Sequence, residues 1–274
     1  MTTAPKTRLN KIIAITNQKG GVGKTTITFH EAMFLKECGY KVAVIDQDGQ
    51  GNLSSCFVPG ERTGGIPTAT LFDANEPLGV PLKTDLGVDL IYSQNGDNAL
   101  YEVDMQGMDQ LDAFYRKVKE LSEDYDFVLI DTPPAYGVKM IAACIVADYI
   151  FAPVELAGFA ANGVLALNKS LNEISELLGQ EIKLDGLICN KFKSRADEHQ
   201  ASLDDIRAQV GDLLLESVVK DSAPIDVAIL DRRPVWSVRK TGAQRVAAKM
   251  MVDLMKEISG KVGVPESVIQ GFGK

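Results

Sequence analysis

The chain has 274 residues, of which 45% are hydrophobic and 24% charged, and its formal net charge is −8. These proportions describe an ordinary globular protein with room for one large α/β domain or two small ones. No apolar run approaches the roughly 18 residues of a membrane span, and the N-terminal MTTAPKTRLNK lacks a signal-peptide core, so a cytoplasmic protein is expected.

Residues 1–10 are polar and read as a flexible tail. Ile12, Ile13, Ala14 and Ile15 form a short apolar run of the kind that makes a buried strand. Gly20, Gly21 and Gly23 follow, and from Lys24 the sequence is helix-compatible as far as Gly39, a C′ residue by type. Strand, glycine loop and helix in that order are the context of a phosphate-binding loop. Glycines let backbone N–H groups surround phosphate oxygens, and the helix N-terminus adds partial positive charge. The binding set is Lys19, Gly20, Gly21, Val22, Gly23, Lys24, Thr25 and Thr26. Within it Lys24 reaches the β- and γ-phosphates, and the Thr25 hydroxyl ligates Mg²⁺. The usual pattern has a glycine where this chain has Gln18, and it lacks the additional Lys19.

Residues 41–46, KVAVID, read as a second buried strand ending in Asp46, with Asp48 two residues on. Acids at a strand's C-terminal end lie at the ligand edge of an α/β sheet. The alternative for Asp46 is a turn that caps the following helix. Residues 53–87 are irregular apart from a helical turn at 68–73. A strand at 88–92 is followed by SQNGDNAL, to which no function is assigned. The spacing predicts a helix over 109–122 with Leu111, Phe114, Tyr115, Val118 and Leu121 on one side. FVLID at 127–131 is a third apolar strand ending in an acid, and Asp131 would hold Mg²⁺ through water, opposite Thr25.

A strand at 149–154 precedes a helix over 160–178, with Leu165, Leu167, Leu171, Ile174, Leu177 and Leu178 available for burial. LDGLICN at 184–190 is a strand ending in Asn190, whose amide suits either an adenine edge or a turn. His30 reads as packed and His199 as surface, and neither marks a metal site. The final strand is 213–219; Trp236 anchors the segment beyond it, and Thr241 caps a last helix over 242–258. Residues 231–261 hold eight basic and three acidic side chains, a net of +5 within a chain of −8. Arg232, Arg233, Arg239, Lys240 and Arg245 are therefore candidate DNA-phosphate contacts, a solvated helix face being the alternative. Cys38, Cys56, Cys144 and Cys189 form no CxxC pair, and Cys38, Cys144 and Cys189 read as buried thiols. Alternating strands and helices predict one doubly wound, mostly parallel sheet over 11–260, with 261–274 as a second tail.

KGGVGKTT is the deviant form of the phosphate-loop signature, and Lys19 stands at its signature lysine. With the acid-ended strands at Asp46 and Asp131 in the same order, the chain resembles the ParA/MinD family of dimerising ATPases over about residues 10–260. That resemblance implies ATP and Mg²⁺ as cofactors and weak intrinsic hydrolysis. It implies an ATP-sandwich homodimer in which Lys19 reaches the partner's phosphates, with Lys24, Lys19 and Mg²⁺ neutralising the γ-phosphate. Asp46 would orient the attacking water or touch the Mg²⁺ shell, and Asn190 would meet the base. The dimer would bind DNA without sequence preference, on the nucleoid, until a ParB-like centromere-binding protein stimulates hydrolysis. Two departures stand out: Gly49 replaces a common proline, and Lys220-Asp221-Ser222 replaces a Pro-Arg pair beside the base. The N-terminal helix-turn-helix of some plasmid relatives is not expected here, nor is operator binding. A MinD-like membrane switch would need a basic amphipathic C-terminal helix, which SGKVGVPESVIQGFGK does not form, so no membrane partner is expected. A ParA-like protein that positions a non-DNA cargo and a metabolic ligase of the same superfamily are the remaining alternatives.

Overall fold

The computed structural model describes residues 9–155, 160–193 and 197–273. One sheet contains β1 (Lys11–Ile15), β2 (Val42–Asp46), β3 (Ile66–Pro67), β4 (Leu82–Lys83), β5 (Asp89–Tyr92), β6 (Phe127–Asp131), β7 (Tyr149–Glu155), β8 (Gly186–Phe192) and β9 (Leu214–Lys220). The order across it is β3-β5-β2-β6-β1-β7-β8-β9, all parallel, with β4 antiparallel on β5. The helices are α1 (Lys24–Glu37), α2 (Asn52–Phe57), α3 (Asn98–Val103), α4 (Leu111–Ser122), α5 (Val138–Val146), α6 (Ala160–Leu178), α7 (Asp197–Val210), α8 (Ala223–Leu230), α9 (Gly242–Lys261) and α10 (Glu266–Gly271).

Strand alternation divides the core into two layers. Ile12 and Ala14 of β1 face α3 to α7, where Phe114, Met140, Leu171 and Ile206 are buried. Ile13 and Ile15 face the opposite way, toward α1, α2, α8, α9 and α10, among Phe29, Phe34, Met251 and Leu254. Register aligns Ile15 with Asp131 and Asp46 with Asp131, so the acid-ended strands finish side by side at the edge from which the glycine loop leaves β1. That is the ligand edge of a doubly wound sheet.

His30 is fully buried. Val235 N donates to its Nε2 at 3.2 Å, which leaves Nδ1 to donate to Thr26 O at 2.7 Å. Trp236 is buried against His30, Phe34 and Phe272, and its Nε1 donates to Glu37 Oε2 at 2.9 Å. Thr241 and Gln244 form a reciprocal capping box at the start of α9.

Several expectations need correction. Of the expected 261–274 tail, the described part, 261–273, is not free: α9 runs to Lys261, Val262, Val264 and Ile269 are buried, and Phe272 packs 4.3 Å from Phe34. Tyr115 on α4, and Leu165, Leu177 and Leu178 on α6, are exposed; the stripes that pack are narrower than the sequence offers. The 53–87 stretch begins with α2, and SQNGDNAL leads into α3, whose N-cap Asp97 accepts from Leu100 N. Cys56 is buried, whereas Cys38 is half-buried, and none of the four cysteines is in a disulfide. Residues 1–8, Lys274 and the His199 side chain lie outside the described residues.

Candidate nucleotide site

The glycine loop is built for close approach. Gly21 and Gly23 take φ of 76° and 98°, in the left-handed region that disfavours side chains. A Cβ on Gly23 would stand 2.2 Å from Asn190 Nδ2. That nitrogen donates to Val22 O at 2.7 Å. Asn190 therefore lies inside β8 rather than at its end, and its amide nitrogen holds the loop itself. Gln18 ties the loop to α6 through Ser170 Oγ at 2.7 Å, a use for the residue that stands in place of the usual glycine. Gly23 is the N-cap of α1, so no side chain caps that helix and no acid occupies its first turn. Its uncapped N–H groups and dipole favour an anion there.

Lys24 is buried, and its Nζ donates to Lys19 O at 3.2 Å. Burial lowers its pKa, against the pull of Asp131 and Asp48. Lys19 points outward: its side chain is 58% exposed and pairs with Glu155 at 3.5 Å.

Thr25 Oγ1 donates to Asp131 Oδ2 at 2.6 Å. The other oxygen, Asp131 Oδ1, is buried without a hydrogen-bond partner. Burial, then the neighbouring Asp46, raises the Asp131 pKa well above the carboxylate range. An unpartnered buried carboxylate oxygen is costly, and a cation relieves it. No group of three or more His, Cys, Asp or Glu side chains that could hold a metal occurs among the described residues. The protein thus offers a hydroxyl and a carboxylate, the sparse oxygen set that suits Mg²⁺ when phosphates complete the shell.

Asp46 does what its alternative reading required. Its Oδ2 accepts from Ser54 N and Ser54 Oγ, both at 2.7 Å, and its Oδ1 accepts from Asp48 N at 3.1 Å. The N-cap of α2 is Gly51, which has no side chain, and Asp46 takes over the capping by accepting from Ser54 N, eight residues on. Burial raises its pKa to about 6. Asp48 accepts from Gln50 N at 3.0 Å and closes the next turn.

A cavity of about 660 Å³ opens over the loop, a volume typical of small-molecule sites. Gly20, Gly21, Lys24, Thr25, Thr26 and Asp48 line it together with Asn52, Ser55 and Cys56 of α2, Lys191, Arg232, and Asp226, Ile229 and Leu230 of α8. Lys191 and Arg232 adopt φ of 54° and 53°. Only Asn10 shares that conformation among the described non-glycine residues, so backbone strain gathers at this cavity. Sequence reasoning missed the α8 wall, although Ser222 followed by Pro224 is a readable helix start.

Arg232 must be withdrawn from the DNA-facing set. Its Nε donates to Cys56 O at 3.2 Å and its second nitrogen to Phe57 O, which closes the C-terminus of α2. Arg233 pairs with Asp231 at 3.0 Å. Arg239, Lys240 and Arg245 are exposed together around the start of α9, with Arg245 donating to Lys240 O at 3.1 Å. No acid occupies the first turn of α9.

Residues 10–184 match the AAA domain family. Protein IncC of Escherichia coli is 32% identical over 250 residues, which cover 89% of this chain and 68% of IncC. The chain belongs to the ParA/MinD-type ATPase family. Chromosome partitioning protein ParA of Caulobacter vibrioides is 27% identical over 241 residues, covering 85% of this chain and 90% of ParA. Among solved structures, apo McdA of Cyanothece superposes with a TM-score of 0.77 at 21% identity, over 92% of this chain and 99% of McdA. That likeness bears on the fold, a P-loop ATPase sheet. In this ParA/MinD-type chain the glycine loop, Asp46 and Asp131 all meet at one sheet edge.

Proposed function

We infer that the chain is a partition ATPase whose Mg²⁺–ATP form is a homodimer that binds DNA without sequence preference. The observation that carries the reading is the Thr25–Asp131 contact of 2.6 Å, with Asp131 Oδ1 unpartnered, beneath the uncapped start of α1. Thr25 and Asp131 would hold Mg²⁺, whose charge offsets that of the phosphates in the reaction. Gly20, Gly21, Val22 and Gly23 would cradle the phosphates with their N–H groups, and Thr26 would add the next one on α1. Lys24 would leave its carbonyl partner for the phosphate chain, a short move for a lysine already at the loop.

Lys19 is the residue assigned to the second subunit. Its exposed ammonium, paired among the described residues with Glu155 at 3.5 Å, is placed to exchange partners. Asp46 orients the loop from which the attacking water is approached, acting through α2 and its own backbone rather than as a free base. Asn190 sets the shape of the loop from β8, its amide nitrogen engaged by Val22 O. Arg239, Lys240 and Arg245, with Arg233, would bind DNA phosphates, which localises the dimer to the nucleoid. The names IncC and ParA support a ParB-like centromere-binding protein as the partner that stimulates hydrolysis. Residues 9–273 act as one domain in this scheme, and the C-terminal segment is packed rather than available to a membrane.

ATP turnover with Mg²⁺, and mass by light scattering with and without ATP, test the reading. Lys24→Ala should abolish turnover, and Lys19→Ala should remove the ATP-dependent dimer while the monomer stays folded. Parent-like assembly and turnover in both variants would overturn it.

A further inference from the structure

The Asp46–Gln50 loop is gripped by a residue outside every motif. Gly49 is not in the left-handed region, so backbone freedom does not explain it. Space does: a Cβ on Gly49 would stand 2.8 Å from Cζ and 3.0 Å from Cε1 of Tyr101 on α3. Gln50 Nε2 donates to the Tyr101 hydroxyl at 2.7 Å. Gly96 N, in the turn before α3, donates to Gly49 O at 3.0 Å. Any residue with a Cβ at position 49, proline included, would meet the Tyr101 ring.

The other side of α3 is fastened to α5, directly after the loop that follows Asp131. Lys139 has a side chain only 3% exposed and pairs with Asp104 at 2.9 Å. Its Nζ also donates to Leu100 O at 2.9 Å and lies 5.5 Å from the centre of the Tyr101 ring. Asp104 Oδ1 stands 2.7 Å from where a Cβ on Gly137 would be. A buried ammonium is tolerated only with such partners, and it fixes their relative positions.

We propose that Tyr101 is a positioning residue that makes the Asp46–Gln50 loop and the Thr132–Gly137 loop shift as one body. Gly49 and Gln50 are its hold on the first, and Lys139 is its hold on the second. The proposal rests on the ATPase reading, because it assigns the coupled motion to the turnover of nucleotide between the two loops. Tyr101 itself does not line the cavity; Asp48 and Gln50 do.

Steady-state ATP turnover with Mg²⁺ tests it on the full chain, with Lys24→Ala as the control. Tyr101→Phe keeps the ring over Gly49 and loses one hydrogen bond, so kcat should fall about two- to tenfold with KM changed less than about twofold. Gly49→Ala should lower kcat in the parent and have no further effect in a Tyr101→Ala background, where the methyl has room. Lys139→Met combined with Tyr101→Ala should be no slower than the slower single variant. An unchanged kcat in Tyr101→Phe, or effects of Gly49→Ala and Tyr101→Ala that multiply, would overturn the coupling. Thermal melts separate these outcomes from misfolding, and the Gly49 pair stands even if Lys139→Met does not fold. Turnover by Lys24→Ala at the parent rate would instead sink the ATPase reading, and the proposal with it.

Discussion

His30 and Glu31 are neighbours on α1, both fully buried, and burial moves them in opposite directions. The His30 imidazole is pushed down to about 4, against a smaller raising effect of Thr26 O. The Glu31 carboxyl is pushed up to about 8, against a smaller lowering effect of Ser259. Ser259 Oγ donates to Glu31 Oε1 at 2.7 Å, and Oε2 has no partner. A raised carboxyl contributes stability that is full below its unfolded value of 4.5 and lost as pH rises through about 8. A depressed imidazole does the reverse: its contribution is full above 6.5 and lost as pH falls through about 4. Between pH 4.5 and 6.5 folded and unfolded states therefore bind one proton each from this pair, and the two slopes cancel. From 6.5 to 8 only the Glu31 slope remains, and it lowers stability by about 2 kcal/mol. Glu31→Gln should remove that fall, as read from denaturant midpoints at the two pH values. An equal fall in parent and variant would contradict the assignment.

The same scale shows what a sequence can disclose. Lys24, Thr25 and Asp131 were legible because strand, glycine loop and acid-ended strand are local patterns whose meeting point the parallel sheet dictates. Asp46 was legible as a site-edge acid, but its commitment to Ser54 depends on where α2 begins, and Gly51 gives no capping signal. The inward turn of Arg232 depends on the carbonyls of Cys56 and Phe57, more than 170 positions away in the chain.

At the scale of elements, long periodic stretches were readable and short ones were not. The helices missed include α2, α3, α5, α8 and α10. Of these, α2 and α3 have six residues each and α8 has eight, too few for periodicity to register. The nine residues of α5, VKMIAACIV, are almost uniformly apolar, so no face stands out. The C-terminal segment misled for a related reason: its glycines and Pro265 read as a tail, yet three spaced apolar residues dock it. Val262, Val264 and Ile269 are buried, and Phe272 closes over Phe34 and Trp236. Ile269→Ala should therefore destabilise the protein by about 2–5 kcal/mol. Because Trp236 lies 5.7 Å from Phe272, tryptophan emission in urea should report the loss. A midpoint unchanged from the parent would return the segment to the status of a tail.

The whole molecule carries −8, so long-range electrostatics oppose DNA and any affinity must be local. The local feature is the start of α9, where Arg239, Lys240 and Arg245 surround a helix N-terminus without an acid in its first turn. Cations at the positive end of a helix cost stability, and that cost is offset when an anion such as a phosphate docks there. Two copies in a dimer would present the patch twice, which is how an acidic protein can hold a polyanion. Arg239→Ala/Lys240→Ala should abolish most DNA binding at physiological salt while ATP binding stays at the parent level. If each of the four lost cations in the dimer meets one phosphate, the slope of log affinity against log salt should fall by about 4. Arg232→Ala is the contrasting variant. Its guanidinium closes α2 beside the cavity, so it should weaken nucleotide binding and leave the salt slope of the remaining DNA affinity unchanged. Nucleotide titration and DNA binding across a salt series, run on both proteins, distinguish the two roles. A double variant with the parent's slope would move the DNA surface away from α9.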